Sequence, residues 1–462
     1  MSDEHGKAQG TSQGIVERIN NFAHNWIPDS YVIALTLTLL ALLLAITLTP
    51  STPYEVVQAW GQGFWVLLEF SMQMVLIVIT GYALATTPIC QRLMRAICMM
   101  PSSSVQVYLW GVVFSSIAYY LNWGFGLVFA ALLAKELGKQ ADYKGIKVDY
   151  RLLCGANWTS YYFFHMGLSG SAPLLVATPT HFMVKEIGVI PVAETLFSSY
   201  TLTLTAISFI AVVLLYAVFL VPKDLAKVKT MRELRPDFFA LEMENKVVAA
   251  TKIETPSQWL TNTPYLSYIV GIMFVGYLYY HFVSQGKSLD INILNTIFLM
   301  LIILLYGTPA KLLAAVKEST SAATGIIIQF PFYAGIFGIM THTGLVDVFS
   351  NWIIGFSTHE TFTGVVALLT GAVGYFIPSG GSKWAVVAPF LVPAANNLGI
   401  PISKVVTAYM FGCDWANLIQ PFFAIPFIAV AGLEFRDFAA YSFISFLVLG
   451  VIMLAGLIYL PF

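Results

Sequence analysis

Charged side chains are scarce in this chain of 462 residues, where Asp, Glu, Lys and Arg make up only 10%. Soluble domains carry about a quarter of such residues, so the composition excludes an ordinary soluble fold. The formal net charge is −1, and no basic patch points to nucleic acid as a partner. Hydrophobic residues instead make up 58% of the chain. Apolar runs long enough to cross a lipid bilayer recur along it, which predicts an all-α polytopic membrane protein.

Cysteines and catalytic motifs are also few. The chain lacks a His-x-x-x-His or Gly-x-Ser-x-Gly motif, and His165 with Ser169 and Ser171 has no carboxylate partner nearby in the sequence. We therefore expect a protein that is not an enzyme and holds no cofactor. The four cysteines show no metal-ligand spacing, and we interpret them as small apolar packing residues. They are Cys90, Cys98, Cys154 and Cys413.

Basic residues are absent between Lys317 and Lys404, with the single exception of Lys383. This lysine lies in a glycine-rich break, Pro378–Trp384, with apolar sequence on both sides. A cation at membrane depth is costly and usually functional, and non-helical backbone persists there only inside protein or beside a wet cavity. The break therefore predicts a binding site for a small anion. Two other interpretations stay open: Lys383 extends to the outer surface, or it forms a structural bridge with Asp414.

The distribution of Lys and Arg predicts the topology. No Lys or Arg occurs between Arg18 and Arg92, so we place the N-terminus inside and the first loop outside. A simple crossing by residues 104–134 would put the following basic loop outside. The interruption at Asn122–Gly126 favours instead a re-entrant hairpin from the cytoplasmic side. Continuing this count predicts nine crossings, two hairpins and a C-terminus outside.

This topology divides the chain into five parts. They are a cytoplasmic N-terminal segment (1–28), a first repeat (29–221) with an inner hairpin (104–134), a basic cytoplasmic linker (222–262), a connecting transmembrane helix (263–285), and a second repeat (286–462) with an outer hairpin (363–398).

The two repeats share four landmarks in the same order. The pairs are Gln73 and Gln329, Gly124 and Gly380, Gly155 and Gly412, and Pro173 and Pro426, at separations of 256, 256, 257 and 253 residues. Because an odd number of crossings separates the equivalent elements, the repeat is predicted to be inverted. Inverted repeats with broken helices that meet near the bilayer midplane are typical of secondary transporters.

Four segments also resemble a known family. Asn122–Leu127, Ser169–Leu175, Gln329–Gly335 and Pro378–Gly381 are similar to segments of bacterial short-chain fatty acid transporters of the acetoacetate and butyrate uptake type. The resemblance implies a carrier of small monocarboxylates in the bacterial inner membrane. Through the wider ion-transporter superfamily it also implies a homodimer with an elevator-like mobile domain.

The breaks offer the groups that a short-chain carboxylate needs. Free backbone N–H groups at helix N-termini hold anions, glycines allow close approach, and hydroxyls add donors. The alternatives are a carrier of other small carboxylates or amino acids, or a passive anion channel. The predicted substrate-binding residues are Asn122, Trp123, Gly124, Gly126, Ser169, Gly170, Ser171, Gln329, Tyr333, Ser379, Gly380, Gly381, Ser382 and Lys383.

A buried acid, Asp414, suggests how transport is coupled. It lies deep in a broken span, where it either takes part in proton exchange, facing Lys383 or His165, or helps to hold Na⁺. We therefore expect cation-coupled symport with Na⁺ or H⁺. The predicted ion-coupling residues are Asn157, His165, Asp414 and Asn417, and the predicted surroundings of Na⁺ are Asn122, Asn157, Ser379 and Asp414.

Overall fold

The structure is a computed structural model that describes residues 30–240, 255–377 and 379–461. All regular secondary structure in these three ranges is helical. The predicted N-terminal segment 1–28 lies outside the described residues, as do Pro378 and residues 241–254 of the predicted linker.

The first half of the described chain contains helices α1 to α10. A 3₁₀ turn at Ser160–Phe163 follows α7, and a π turn at Leu215–Phe219 follows α10. The helices are α1 (Ser30–Leu48), α2 (Pro53–Gly63), α3 (Leu68–Ala85), α4 (Pro88–Cys98), α5 (Ser104–Leu121), α6 (Trp123–Tyr143), α7 (Tyr150–Thr159), α8 (Ser171–Ala177), α9 (Val184–Ile187) and α10 (Ser199–Leu214).

The remaining described helices comprise short linker helices and the second half. The linker contains α11 (Met231–Leu234), α12 (Asp237–Ala240) and α13 (Pro256–Asn262), and the connecting helix is α14 (Tyr265–Tyr279). The second half contains α15 (Ile291–Tyr306), α16 (Pro309–Ser319), α17 (Thr324–His342), α18 (Leu345–Gly355), α19 (Phe362–Phe376), α20 (Gly380–Asn397), α21 (Ile402–Asn417), α22 (Pro421–Ala431) and α23 (Phe435–Tyr459).

Within the described ranges, seven helical segments are long and apolar enough to cross a membrane. They are Tyr31–Leu48, Leu68–Ala85, Ser104–Leu121, Ser199–Phe219, Tyr265–Ser284, Pro309–His342 and Phe435–Tyr459. Shorter apolar helices, among them Ile291–Tyr306, add to this number. The prediction of an all-α polytopic membrane protein is confirmed, while the number of crossings stays a prediction.

The first hairpin is broken at a single residue, Asn122, between α5 and α6. Its backbone is extended (φ −159°, ψ 127°), and its side-chain oxygen accepts the N–H of Phe125 at 3.0 Å. This is an N-cap, which satisfies one of the free donors at the start of α6. Helix α6 extends to Tyr143, nine residues past the predicted end at 134, because residues 135–143 are mostly good helix formers.

The second hairpin is broken between α19 and α20. Ser379 is also extended (φ −155°, ψ 120°), and its hydroxyl accepts the N–H of Ser382 at 3.4 Å. Lys383 and Trp384 therefore lie in the first turns of α20, whereas the sequence placed them in the break. A capped helix that begins with two glycines explains the difference, because the cap lets helical geometry start at Gly380.

The two halves hold each other reciprocally. Helices α1 and α2 of the first half pack against α17, and α15 and α16 of the second half pack against α3. The hairpin arm α6 contacts α22, and the hairpin arm α20 contacts α8. Each half therefore completes the surroundings of the other's broken helices. Their inverted orientation stays a prediction.

Two glycines allow α2 and α17 to cross closely. A Cβ atom added to Gly63 would lie 2.7 Å from the carbonyl oxygen of Ala334, and one added to Gly338 would lie 2.7 Å from the Cα of Gly63. Both distances are shorter than van der Waals contact. Small residues at such crossings bring helix backbones together in membranes, where packing drives association.

We predict that Gly338→Ala destabilises the fold by about 1–3 kcal/mol, the usual cost of overpacking. The expected result is a lower midpoint of thermal unfolding in detergent, measured as the loss of the folded peak in size-exclusion chromatography. Gly276→Ala in α14 is the matched control, because an added Cβ there meets no atom within 4 Å. Equal midpoints for the two variants would contradict the close crossing.

Candidate functional site

A small cavity of about 60 Å³ lies where the two hairpin tips meet; we call it the tip cavity. Its walls include Trp123 from the first hairpin, Ser379 and Gly380 from the second, Ser171 from α8, and Phe330 from α17. One water needs about 10–15 Å³ on such a scale, so the space holds only a few heavy atoms. The geometry suits a small ligand.

Helix N-termini from both halves converge on this cavity. Trp123, Ser171 and Gly380 are the first residues of α6, α8 and α20, and each lines the tip cavity. Phe423, the third residue of α22, lines it as well. Helix N-termini carry partial positive charge and free N–H groups, which together bind anions. Both the predicted breaks and the predicted broken spans therefore contribute to one site.

Close contact at Gly380 joins the second hairpin to the broken span of the first half. A Cβ atom added to Gly380 would lie 3.2 Å from the Ser171 hydroxyl and would overlap the imidazole of His165. The hydroxyl of Tyr409 on α21 donates a hydrogen bond to the carbonyl of Gly380. Glycine is required here because the backbone itself packs against these side chains.

A buried acid and histidine lie beside the tip. The backbone N–H of His165 donates to Asp414 Oδ2 at 2.8 Å, and His165 Nδ1 lies 2.5 Å from Asp414 Oδ1. Both side chains are completely buried. Since His165 precedes α8 and Asp414 belongs to α21, this pair connects the broken spans of the two halves. A proton on either Nδ1 or Oδ1 makes this contact a hydrogen bond.

Lys383 is completely buried, so the interpretation that it extends to the outer surface is wrong. Its Nζ lies beside the Cys413 thiol and against Gly374 of α19, where an added Cβ would be 2.8 Å away. In the described part of the chain, Nζ makes no hydrogen bond to oxygen or nitrogen. The alternative of a bridge to Asp414 is also not observed, because Asp414 bonds His165.

Several predicted substrate residues do not line the tip cavity but hold the elements that do. Ser169 accepts the N–H of Trp123 at 2.8 Å, which ties the first hairpin tip to the segment before α8. Gly170 is the residue before α8, and the Ser382 hydroxyl donates to Ser379 at 3.2 Å. These residues fix the positions of the helix starts that line the cavity.

The predicted glycines mainly provide close packing. A Cβ atom on Gly124 would lie 3.1 Å from the Cα of Val78, and one on Gly126 would overlap Tyr119. Gly381 packs directly against the ring of Phe70. They hold the hairpins against their neighbours rather than lining the tip cavity.

On α17 the sequence identified the correct helix but different residues. Gln329 and Tyr333 are buried, yet the residues of this helix that line the cavity are Ile326 and Phe330. They are one helical turn apart, whereas Gln329 and Tyr333 share a neighbouring face. Met74, Tyr161 and Phe164 also line the cavity and were not predicted. Their apolar side chains carry no signal that separates them from ordinary core residues.

The predicted ion-coupling residues lie in different surroundings. Asn157 accepts from Ser115 at 2.5 Å and donates to the carbonyl of Leu153 at 2.8 Å, so its amide joins α5 to α7. Asn417 is buried three residues after Asp414, and neither its oxygen nor its nitrogen has a partner in the described ranges. Of the four predicted residues, three (His165, Asp414 and Asn417) lie at one end of α21 or against it.

The donor atoms around Asp414 are of mixed chemistry, and Na⁺ binding there stays a prediction. His165, Cys413 and Asp414 offer nitrogen, sulfur and oxygen within 4.8 Å of one another, whereas hard cations prefer cages of oxygen. The oxygens of Asn122 and Asn157, which were predicted near Na⁺, already accept hydrogen bonds from Phe125 and Ser115. Proton exchange and Na⁺ coordination both stay predictions for this group of residues.

Comparisons with known proteins find relatives that match nearly the whole chain. The family model of the short chain fatty acid transporter matches residues 13–460. The chain is 35% identical over 439 residues to a proposed short-chain fatty acid transporter of Escherichia coli (strain K12), covering 95% of this chain and 98% of that protein. It is 34% identical over 452 residues to one of Haemophilus influenzae, covering 96% and 98%.

Two solved structures share the fold at low identity. The YdaH transporter of Alcanivorax borkumensis superposes with a TM-score of 0.62 at 14% identity, over 93% of this chain and 98% of that one. MtrF of Neisseria gonorrhoeae, from a class of antimetabolite efflux pumps, superposes with a TM-score of 0.56 at 14% identity, over 96% and 97%. This likeness supports the polytopic helical fold.

The isolated charge of Lys383 leads to a prediction about stability. Because a buried charge without a hydrogen-bonded partner is costly, Lys383→Met should raise the free energy of unfolding by about 1–4 kcal/mol. Thermal unfolding in detergent measures the change, and Lys317→Met, at an exposed position of α16, is the control. A clear loss of stability in Lys383→Met alone would show that the ammonium has a structural partner.

Proposed function

The chain belongs to the short-chain fatty acid transporter family, and from this premise we propose that it takes up short-chain monocarboxylates by cation-coupled symport. Butyrate and acetoacetate are the proposed substrates, and the bacterial inner membrane is the proposed location. The family and its relatives are transporters rather than enzymes, as the sequence predicted.

The observation that carries the proposal is the convergence of helix N-termini on the tip cavity. A carboxylate there receives N–H donors from α8 and α20 and a hydroxyl from Ser171. Met74, Ile326 and Phe330 form an apolar wall on which a short carbon tail packs. The small volume favours a monocarboxylate of a few carbons over larger acids.

Lys383 contributes a positive charge that lies near the tip cavity but is not part of its wall. Its side chain belongs to the first turns of α20, whose N-terminus lines the cavity. The ammonium group and the helix N-terminus therefore both attract an anion toward Gly380. In a medium of low dielectric constant the attraction acts over several ångströms without direct contact. We propose that Lys383 is the countercharge of the bound carboxylate.

We propose that the coupling ion is a proton and that His165 and Asp414 carry it. The pair is buried, shares a short contact, and lies against Gly380 at the edge of the tip cavity. A proton taken up by this pair offsets the charge of an incoming carboxylate, so the two cross the membrane together. Coupling to Na⁺ is the alternative that the experiments below distinguish.

The proposed motion and assembly follow the family resemblance. We propose that the two hairpins and broken spans move together as an elevator-like domain, in a homodimer whose N-terminus is cytoplasmic and whose C-terminus is outside. The contacts of α6 with α22 and of α20 with α8 support one mobile unit, because each links the hairpin of one half to the broken span of the other.

We predict that Ser171→Ala raises the KM for labelled butyrate by about ten- to one-hundredfold, the worth of a hydrogen bond to a charged group. Initial uptake rates into proteoliposomes measure it. Ser442→Ala, which also removes a buried serine hydroxyl but on α23 away from the cavity, should leave KM unchanged.

Three outcomes of that experiment would reject parts of the proposal. An unchanged KM in Ser171→Ala would remove the hydroxyl from the site. Uptake by the unaltered protein that never saturates would indicate a channel. No uptake of butyrate or acetoacetate at all would reject the substrate class, and amino acids would be tested next.

We predict that Asp414→Asn abolishes accumulation driven by a pH gradient but retains exchange of labelled for unlabelled substrate. Without the carboxylate, the site cannot pick up and release a proton, although it still binds the substrate. Proteoliposomes with pH and Na⁺ gradients imposed separately make the measurement. Asp224→Asn, at a solvent-exposed linker position, is the control, and accumulation under a Na⁺ gradient alone would reject proton coupling.

A further inference from the structure

A second cavity of about 100 Å³ lies next to the tip cavity; we call it the outer chamber. It is lined by Glu69 and Phe70 of α3, by Leu175 of α8, and by Thr178 and Thr180 after α8. Glu69 and Thr180 are exposed, and the Thr180 hydroxyl donates to the Glu69 carboxylate at 2.9 Å. The chamber therefore has its mouth at the surface where α3 begins.

Two helices show that the two cavities follow one another. On α3, Phe70 lines the outer chamber and Met74 lines the tip cavity. On α8, Leu175 lines the outer chamber and Ser171 lines the tip cavity. In each helix the step is four residues, or about 6 Å along the axis. Two separate helices therefore give the same order, with the outer chamber nearer the surface and the tip cavity deeper.

The ring of Phe70 lies between these sections. It is buried, and its centroid is 5.9 Å from that of Phe330, which lines the tip cavity. On the other side, Gly381 of the second hairpin packs against the same ring, so closely that an added Cβ would overlap it. The barrier is thus one aromatic side chain held between α17 and a hairpin tip.

We propose that Phe70 is the outer barrier of the substrate site and limits which carboxylates reach it. Movement of the second hairpin withdraws Gly381 from the ring, which frees Phe70 to turn and opens the outer chamber to the tip cavity. Short unbranched monocarboxylates pass the ring, whereas longer or bulkier acids are held back. The selectivity for chain length rests on the proposed function, but the barrier itself does not.

Access to the tip cavity tests the barrier without any substrate. Ser171→Cys places a thiol in the cavity, and a membrane-impermeant maleimide is applied to either face of the membrane. Adding Phe70→Ala should speed labelling at least tenfold from the face where α3 begins, and Phe70→Trp should slow it. Met72→Ala, on the lipid-exposed side of the same helix, should not change the rate, and the chain without Ser171→Cys gives the background of the four native cysteines.

Uptake then tests the selectivity. Phe70→Ala should raise the uptake of hexanoate relative to butyrate at least fivefold, and Phe70→Leu serves if the alanine variant does not elute as a folded protein. Equal labelling rates with phenylalanine and alanine at position 70, or faster labelling only from the opposite face, would overturn the barrier. Faster labelling without any change in acid preference would reject its role in selectivity, and labelling remains informative even if the transported solute is not a carboxylate.

Discussion

Backbone hydrogen bonding at membrane depth is the constraint on which the rest of this structure depends. A helix that breaks inside a bilayer leaves N–H donors without partners, and lipid offers none. Asn122, Ser379 and Gln420 each cap the helix that follows them with a side-chain oxygen. Residues in the first turns of these helices line the tip cavity, and it is there that we propose a carboxylate binds.

The sequence predicted the breaks well because their signal is local. Polar residues and glycines at Asn122–Gly126 and around Ser379 interrupt apolar runs, and the structure breaks its helices there. The direction in which the Lys383 side chain points was harder to predict. It depends on the helix face that the lysine occupies, and that face is fixed by the start of α20 at Gly380. For Asp414 the sequence offered Lys383 and His165 as partners; because His165 lies 249 residues away, no local pattern chooses between them. Phe330 lines the cavity and lies within Gln329–Gly335, but its apolar side chain is like that of any core residue and carries no signal of the cavity.

The relation to known proteins separates what the fold provides from what the site provides. At 14% identity, YdaH and MtrF share the helical architecture, but shared architecture leaves the transported molecule open. The relatives at about 35% identity over nearly the whole chain carry the family assignment. The proposed chemistry of this chain rests on a few groups near the two glycine-rich tips.

The crossing of α2 and α17 has a consequence for synthesis of the chain. Gly63 and Gly338 touch in the finished protein, yet 275 residues separate them. At about 5–20 residues per second, α2 waits roughly 14–55 s after its own synthesis before its partner exists. During that interval the face of α2 that carries Gly63 has no helix packed against it. The surface of α3 that later packs against α15 and α16 is also uncovered. The first half must therefore persist in the membrane as an incomplete intermediate, and whatever shields its open faces at that stage shapes the yield of the mature protein.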